Sequence, residues 1–298
     1  MKKLLITLLI SFTFTANAQM TVILPFSAGS IVDLSCRKLF EVYDTMNNSS
    51  SVFVNMPGAD HIIAHKHFIT MNEPSVLCAG NGVGGFNQHN NSKISPSVDT
   101  LKPIVELFAL THFILAPTTG PNTLEEIMSN SKKTGKRVLV GAPSNTSAEV
   151  LTHILAKNNV KYEIVAYKKP TDAIVSLKDG SLDTYVDGGS IKILGELPGV
   201  KEIAHVSIGQ AKTKTDNLMK KYPMLENIVS KVIIYARANT TDREIQLLNT
   251  RLNNVINSEQ YQQFKRERLS MHQMTNGTVS QANQTIINLG EYLKNVHN

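Results

Sequence analysis

Short apolar runs alternate with stretches of helical periodicity along most of this chain, and no other property narrows the possible folds as much. VILPF (22–26) precedes a helical pattern over 34–46, SVFVN (51–55) precedes another over 60–71, and SVLCAG (75–80) closes the series. A polar stretch at 87–100 and a long apolar run, IVELFALTHFILAP (104–117), separate it from a second series. There a helix over 123–133, RVLVGA (137–142), a helix over 147–156, YEIVAY (162–167), a helix over 171–178 and DTYVDG (183–188) follow one another. Strands separated by helices pair in parallel, because a crossover of helical length carries the chain back to start the next strand in the same direction. The fold class is therefore α/β, with two domains, each a mostly parallel sheet flanked by helices. The run at 104–117 and KVIIYARA (231–238) read as two crossings between the domains, and helical segments at 241–257, 258–268 and 278–296 return to the first. The expected division is 19–110 with 236–298 as one domain and 111–235 as the other. No internal repeat interrupts this pattern.

Residues 1–18 carry the parts of a secretory signal: Lys2 and Lys3, an apolar run over 4–14, and Ala16-Asn17-Ala18 as a small-residue cleavage site. The apolar run falls short of the roughly 20 residues a spanning helix needs, so the mature chain is expected to be exported without direct membrane insertion. No cysteine follows the cleavage site to carry a lipid anchor, since Cys36 lies too deep. The remaining chain, about 280 residues, suits two domains. Losing Lys2 and Lys3 lowers the formal charge from +6 to +4 with no long basic run. That excludes a nucleic-acid footprint and leaves a mild bias toward small anions. An oxidising compartment permits a bridge between Cys36 and Cys78. One cysteine lies early in a helix and the other late in a strand, and buried free thiols are the expectation.

Several motifs invite stronger chemistry than their surroundings support. Gly80-Asn81-Gly82-Val83-Gly84-Gly85 satisfies G-x-G-x-x-G after a strand, but FNQHNNSKISPS follows where a dinucleotide site needs a helix, so no nucleotide cofactor is expected. His61, His65 and His67 beside Asp60 lack the H-E-x-x-H pattern and read as solvated helix histidines, with no metal. No G-x-S-x-G elbow and no local cysteine signature support hydrolysis.

Four polar loops lie just after predicted strands: SAGS (27–30), GNG (80–82), PSNTS (143–147) and VDGG (186–189). In open α/β sheets, ligands bind outside the carboxyl ends of the strands, and two such halves facing each other make a cleft. The SAGS turn leaves backbone N–H groups at a helix N-terminus free to meet an anion. The expected ligand-binding residues are Phe26, Ser27, Ala28, Gly29, Ser30, Asp33, Asn81, Gly82, Ser144, Asn145, Thr146, Ser147, Tyr167 and Asp187. Several have structural readings of equal standing: Ser144 as a plain N-cap, Asp33 as a first-turn carboxylate favoured by the helix dipole, Asp187 as a cap, and Tyr167 as a packing ring.

At these residues the chain resembles the extracytoplasmic substrate receptors of tripartite tricarboxylate transporters, the Bug-type receptors. Their P-F-A-A-G-G-x-x-D is met by Pro25-Phe26-Ser27-Ala28-Gly29-Ser30-Ile31-Val32-Asp33, and their V-x-N-x-P-G-A-G-G by Val54 to Ala59, with Asp60-His61 in place of the glycine pair. Val76 to Gly80 resembles their L-L-L-G strand. Val165 to Lys169 resembles V-x-Y-K-G, with Lys169 for the glycine, and Gly180 to Asp187 resembles G-x-V-D-x-x-x-D. The resemblance runs in order over essentially the whole mature chain. It implies a type II periplasmic-binding-protein fold of the Venus-flytrap kind that closes on a small organic carboxylate and delivers it to membrane transporter subunits. It implies a periplasmic monomer that is not an enzyme. A ligand sensor for a periplasmic signalling domain is the alternative, and a periplasmic enzyme on the same fold a further one. In the resembled family, loop N–H groups of Ser27 to Ser30 would hold a carboxylate, Ser144 to Ser147 and the loop after Tyr167 would meet the opposite end, and Asp33 would orient a water or meet an amino or hydroxyl group.

Overall fold

The computed structural model describes residues 19–83, 93–189, 198–209, 211, 213–275 and 277–296. The signal segment, Gly84 and Gly85 of the glycine string lie outside these residues.

Two sheets organise the molecule. In the first, β1 (Gln19–Leu24), β2 (Ser50–Asn55) and β3 (Ser75–Gly80) are parallel and linked through α1 (Ile31–Asn47) and α2 (Ile62–Thr70). Next in chain order come β4 (Leu101–Ala109), β5 (His112–Pro117), α3 (Leu124–Thr134), β6 (Val138–Ala142), α4 (Asn145–Lys157), β7 (Tyr162–Ala166), α5 (Pro170–Asp179), β8 (Thr184–Asp187) and β9 (Val200–Val206). The last elements are β10 (Lys231–Arg237), α6 (Asp242–Ile256), α7 (Glu259–Arg268), β11 (Gln273–Met274) and α8 (Val279–Val296). The sheets run β11-β4-β10-β3-β1-β2 and β7-β6-β8-β5-β9.

Both sheets are mixed. Each keeps a parallel group where β-α-β units build it, and gains antiparallel strands where the chain crosses: β10 against β3 and β4, and β5 against β8 and β9. The inner strands β3, β4 and β5 are buried on both faces, which is why they read as continuous apolar runs rather than alternating ones; the edge strands β2 and β7 are partly exposed. Helix boundaries follow local chemistry. The Ser30, Thr123, Ser144, Thr241 and Ser258 side chains accept N–H groups of the first turn, and Gly135 and Gly180 end α3 and α5 in the left-handed conformation.

Three differences from the sequence reading matter. All of β10 lies in the first sheet, so the return crossing precedes Lys231 and does not fall at 235; the antiparallel partners Gly80 and Ala109 claim the strand's first residues. Helices α6 and α7 pack in the first core through Ile245, Leu252, Val255, Ile256 and Tyr261, but α8 serves both cores. Ala282 joins Ile23 and Leu77, whereas Leu289 and Leu293 join Ile154 and Leu155 of the second domain. Finally, Cys36 and Cys78 are not free thiols: they form a disulfide with Cα atoms 6.7 Å apart. Helix α1 lies across β1 and β3 with Cys36 on its buried face, opposite Cys78, a proximity that spacing in sequence does not reveal.

The two crossings run side by side, with the Leu110 N–H donating to the Ser230 carbonyl at 2.8 Å. The Asn81 side chain binds the same strip, donating to the Val229 carbonyl and accepting from the Lys231 N–H at 2.9 Å.

Candidate functional site

The carboxyl ends of β1, β2 and β3 face those of β6 and β7 across a narrow cleft, and three contacts close it. Ser27 Oγ donates to the Lys168 carbonyl at 3.4 Å. Asn145 donates to the Asp60 carboxylate through both its backbone N–H and Nδ2, each at 2.8 Å. The Gly82 backbone lies against Thr146 so closely that a Cβ there would stand 2.5 Å from Thr146 Cγ2.

The first loop is built around Asp33, which is 1% exposed. Its Oδ2 accepts the Gly29 N–H at 2.8 Å, while Oδ1 accepts Arg37 Nε at 2.9 Å and Asn55 Nδ2 at 2.8 Å. Asn55 also donates to the Phe26 carbonyl at 3.0 Å and accepts from the Arg37 guanidinium at 2.6 Å. Gly29 is left-handed (φ +81°), the conformation that turns its N–H inward to the carboxylate. Burial alone would raise the pKa of Asp33, but the bonds from Arg37, Asn55 and Gly29 and the Arg37 charge outweigh it and hold the group below the usual carboxylate range. Both Asp33 oxygens are thus engaged in holding the loop. Ser30 caps α1 and donates its N–H to Ser27, which leaves the N–H groups of Ser27 and Ala28 without a partner among the described residues. Ala28 and Gly29 are exposed at the cleft.

Phe26 rests against His61, ring centroids 4.6 Å apart. The expectation of solvated histidines does not hold for His61 and His65. Both are buried, and desolvation lowers each pKa to about 4, so both are neutral at pH 7. The cause is local: Ala59, Asp60 and His61 form a left-handed turn before α2, which puts His61 under Phe26 instead of on a helix face with His65. His65 Nε2 pairs with Thr100 Oγ1 at 2.9 Å. His67 is exposed, and no group of three metal-ligating side chains occurs among the described residues.

On the opposite wall, Ser144 Oγ accepts the Ser147 N–H at 3.1 Å and pairs with Ser147 Oγ at 3.0 Å, so the Ser144 and Ser147 hydroxyls serve the α4 cap. Tyr167 stands over Gly141, its ring edge-on to Tyr185 with centroids 6.3 Å apart, and its N–H binds the Ala142 carbonyl. Asp187 lies at the carboxyl end of β8, the parallel neighbour of β6. It ends β8 opposite Phe113, beside the crossing, where Oδ2 accepts the Gly189 N–H at 2.8 Å. Asn81 is likewise committed to the crossing, while Gly82 floors the cleft. Arg37, Asn55 and Asp60 are not among the site residues expected from sequence, whereas Lys168 belongs to the loop after Tyr167, which is. Asn55 and Asp60 did stand in the sequence, as a matched and a replaced position of the V-x-N-x-P-G-A-G-G pattern.

A depression of about 740 Å³ lined by Pro117, Ile127, Arg137, Leu139 and Asp183 lies at the other end of the second sheet, by the amino ends of its parallel strands. It shares no residue with the cleft.

No family model matches the chain, and no curated protein does. Solved structures do match over nearly its whole length. The periplasmic binding protein BugD shares 17% identity with a TM-score of 0.76, covering 93% of this chain and 97% of that one. MatC of Rhodopseudomonas palustris, solved with bound malate, shares 16% at a TM-score of 0.76, covering 94% and 100%. A second R. palustris protein, solved with adipate, shares 14% at 0.78, covering 95% and 97%. Similarity at this level of identity establishes architecture: the chain has the two-domain, type II fold of the periplasmic binding proteins.

Proposed function

We propose that the protein is a periplasmic solute receptor of the Bug type, which captures a small carboxylated ligand by domain closure and presents it to a membrane transporter of the tripartite tricarboxylate class. One observation carries this reading. The N–H groups of Ser27 and Ala28, without a partner among the described residues, stand just before the amino end of α1, a 17-residue helix, where the Ser27 side chain meets the Lys168 carbonyl of the second domain. Aligned peptide dipoles and free donors make such an end a seat for an anion. Ligands touching both walls stabilise only the closed arrangement, which couples capture to a shape a transporter can recognise. The carboxylate ligands of the similarly folded MatC and the adipate-bound protein support the same class of cargo.

The role is binding without turnover. Asp33, the carboxylate of the first loop, is held ionised by three donors and braces the loop. The chain acts as a monomer, needs no cofactor and reaches the periplasm through the signal at 1–18; no described helix is long and apolar enough to cross a membrane. Native mass spectrometry of the purified protein, followed by thermal-shift titration with the acid it carries, tests the reading. Saturable stabilisation without product formation is expected, growing as ligand concentration exceeds Kd. No stabilisation by any organic acid sinks it.

A further inference from the structure

The anion seat of the second domain is filled from within the chain. Helix α4 has 13 residues, and its first N–H, that of Asn145, points at the cleft. Asp60, 85 residues away and in the other domain, places Oδ1 on that N–H and Oδ2 on Asn145 Nδ2, both at 2.8 Å. A carboxylate so placed meets two donors and the positive end of a helix. The backbone that delivers it is built for the purpose. Ala59 (φ 46°), Asp60 (φ 48°) and His61 (φ 74°) are three successive left-handed residues without a glycine among them, a conformation that side chains with a Cβ adopt at a cost. The buried His61 ring, wedged against Phe26, fixes the turn from below.

We propose that Asp60 is an internal occupant of the second domain's carboxylate seat, which ties the two domains together before any ligand arrives and restricts the cleft to ligands with a single carboxylate. That carboxylate goes to Ser27 and Ala28. A diacid's second carboxylate would have to displace Asp60 from Asn145 and remain beside it, like charge against like. The statement about cargo rests on the receptor reading; the tie between domains does not.

Asp60→Gly removes the carboxylate and suits the left-handed backbone, so the turn is preserved. In ligand-free protein, hydrogen exchange at the amino end of α4 is expected to quicken at least tenfold while β6 keeps its protection, and small-angle scattering should report a larger radius of gyration. Asn145→Asp, which sets a second carboxylate against Asp60, should open the protein similarly. Unchanged exchange and scattering in both variants overturn the tie. Thermal titration with propionate and with succinate then reads the cargo: wild type should respond to propionate, and Asp60→Gly should gain a response to succinate of at least tenfold in apparent affinity. A wild type that prefers succinate overturns the restriction. If neither acid stabilises either protein, the receptor reading suffers, while exchange and scattering still decide the role of Asp60.

Discussion

Asp33 shows how a residue in a binding loop acts through its neighbours. Each of its oxygens holds a different part of the first loop, and removing it strands a partly buried guanidinium together with the Gly29 N–H. Asp33→Ala is expected to cost about 2–3 kcal/mol, the order typical for losing buried charge-assisted hydrogen bonds, measured by urea unfolding. Ligand affinity should fall with it, because the Ser27–Ala28 donors lose their frame; unaltered stability and affinity would show that the loop holds itself. Gly82 offers a second test at this scale. A methyl group there would collide with Thr146 only when the walls meet, so Gly82→Ala is expected to weaken ligand binding about tenfold or more without unfolding either domain. Thr146→Ser in the same chain should restore much of the loss, since it removes the Cγ2 that the new methyl strikes. What sequence supplies here is the list of residues and only the local partners: Asp33 was legible as a first-turn carboxylate and Arg37 stands one helical turn on, but Asn55 reaches it only because β2 lies beside β1.

Elements were more legible than contacts. The apolar runs mark β1–β3 and β6–β8, most fully in inner strands such as β3 and β8 that are buried on both faces, and the capping side chains mark helix starts. The antiparallel role of β5 and β10 was not legible, since an apolar run has the same composition whichever way its neighbour points. The Cys36–Cys78 bridge belongs to this scale, because it staples α1 to β3. Its sequence separation of 42 corresponds to about 4 kcal/mol of unfolded-chain entropy in the loop-closure account. Urea unfolding with and without a reductant, and of the paired Cys36→Ser, Cys78→Ser variant, should show a destabilisation of this order. Equal midpoints would mean that the helix packs on the strand unaided. Helix α8 stands where the sequence places a helix, at 278–296, but its double role was not legible. Its amphipathic pattern announces one buried stripe, but that stripe spans two cores, with Thr285 donating to Glu106 of β4 and the Tyr292 hydroxyl 2.8 Å from the His153 ring.

For the whole molecule, buried histidines set the response to acid. His61, His65 and His112 are each pushed down to about 4 by desolvation, and His272 to about 3 by desolvation and the nearby His112. The last two lie at the crossing, where His272 Nδ1 accepts the Thr111 N–H at 3.0 Å. A histidine held neutral in the fold takes up a proton more readily when unfolded, so between pH 6.5 and about 4 the unfolded state binds more protons and stability falls with pH. Asp33, lowered in the fold, loses its contribution at still lower pH, whereas Glu106, raised by burial, works in the opposite direction. Urea midpoints measured from pH 7 to pH 4 are expected to decline steadily; a flat profile would mean that the histidines are solvated in solution. By itself the sequence determined the α/β alternation, the two halves, and the polar loops at the strand ends, because hydrophobic periodicity and turn chemistry are local properties of the chain. Only the tertiary structure decided that Asp60 meets Asn145, that Cys36 meets Cys78, that His61 is buried beneath Phe26 and that α8 joins both cores. Each is a meeting of residues far apart in the chain or a choice of face, and both follow from how the sheets and helices are set against one another.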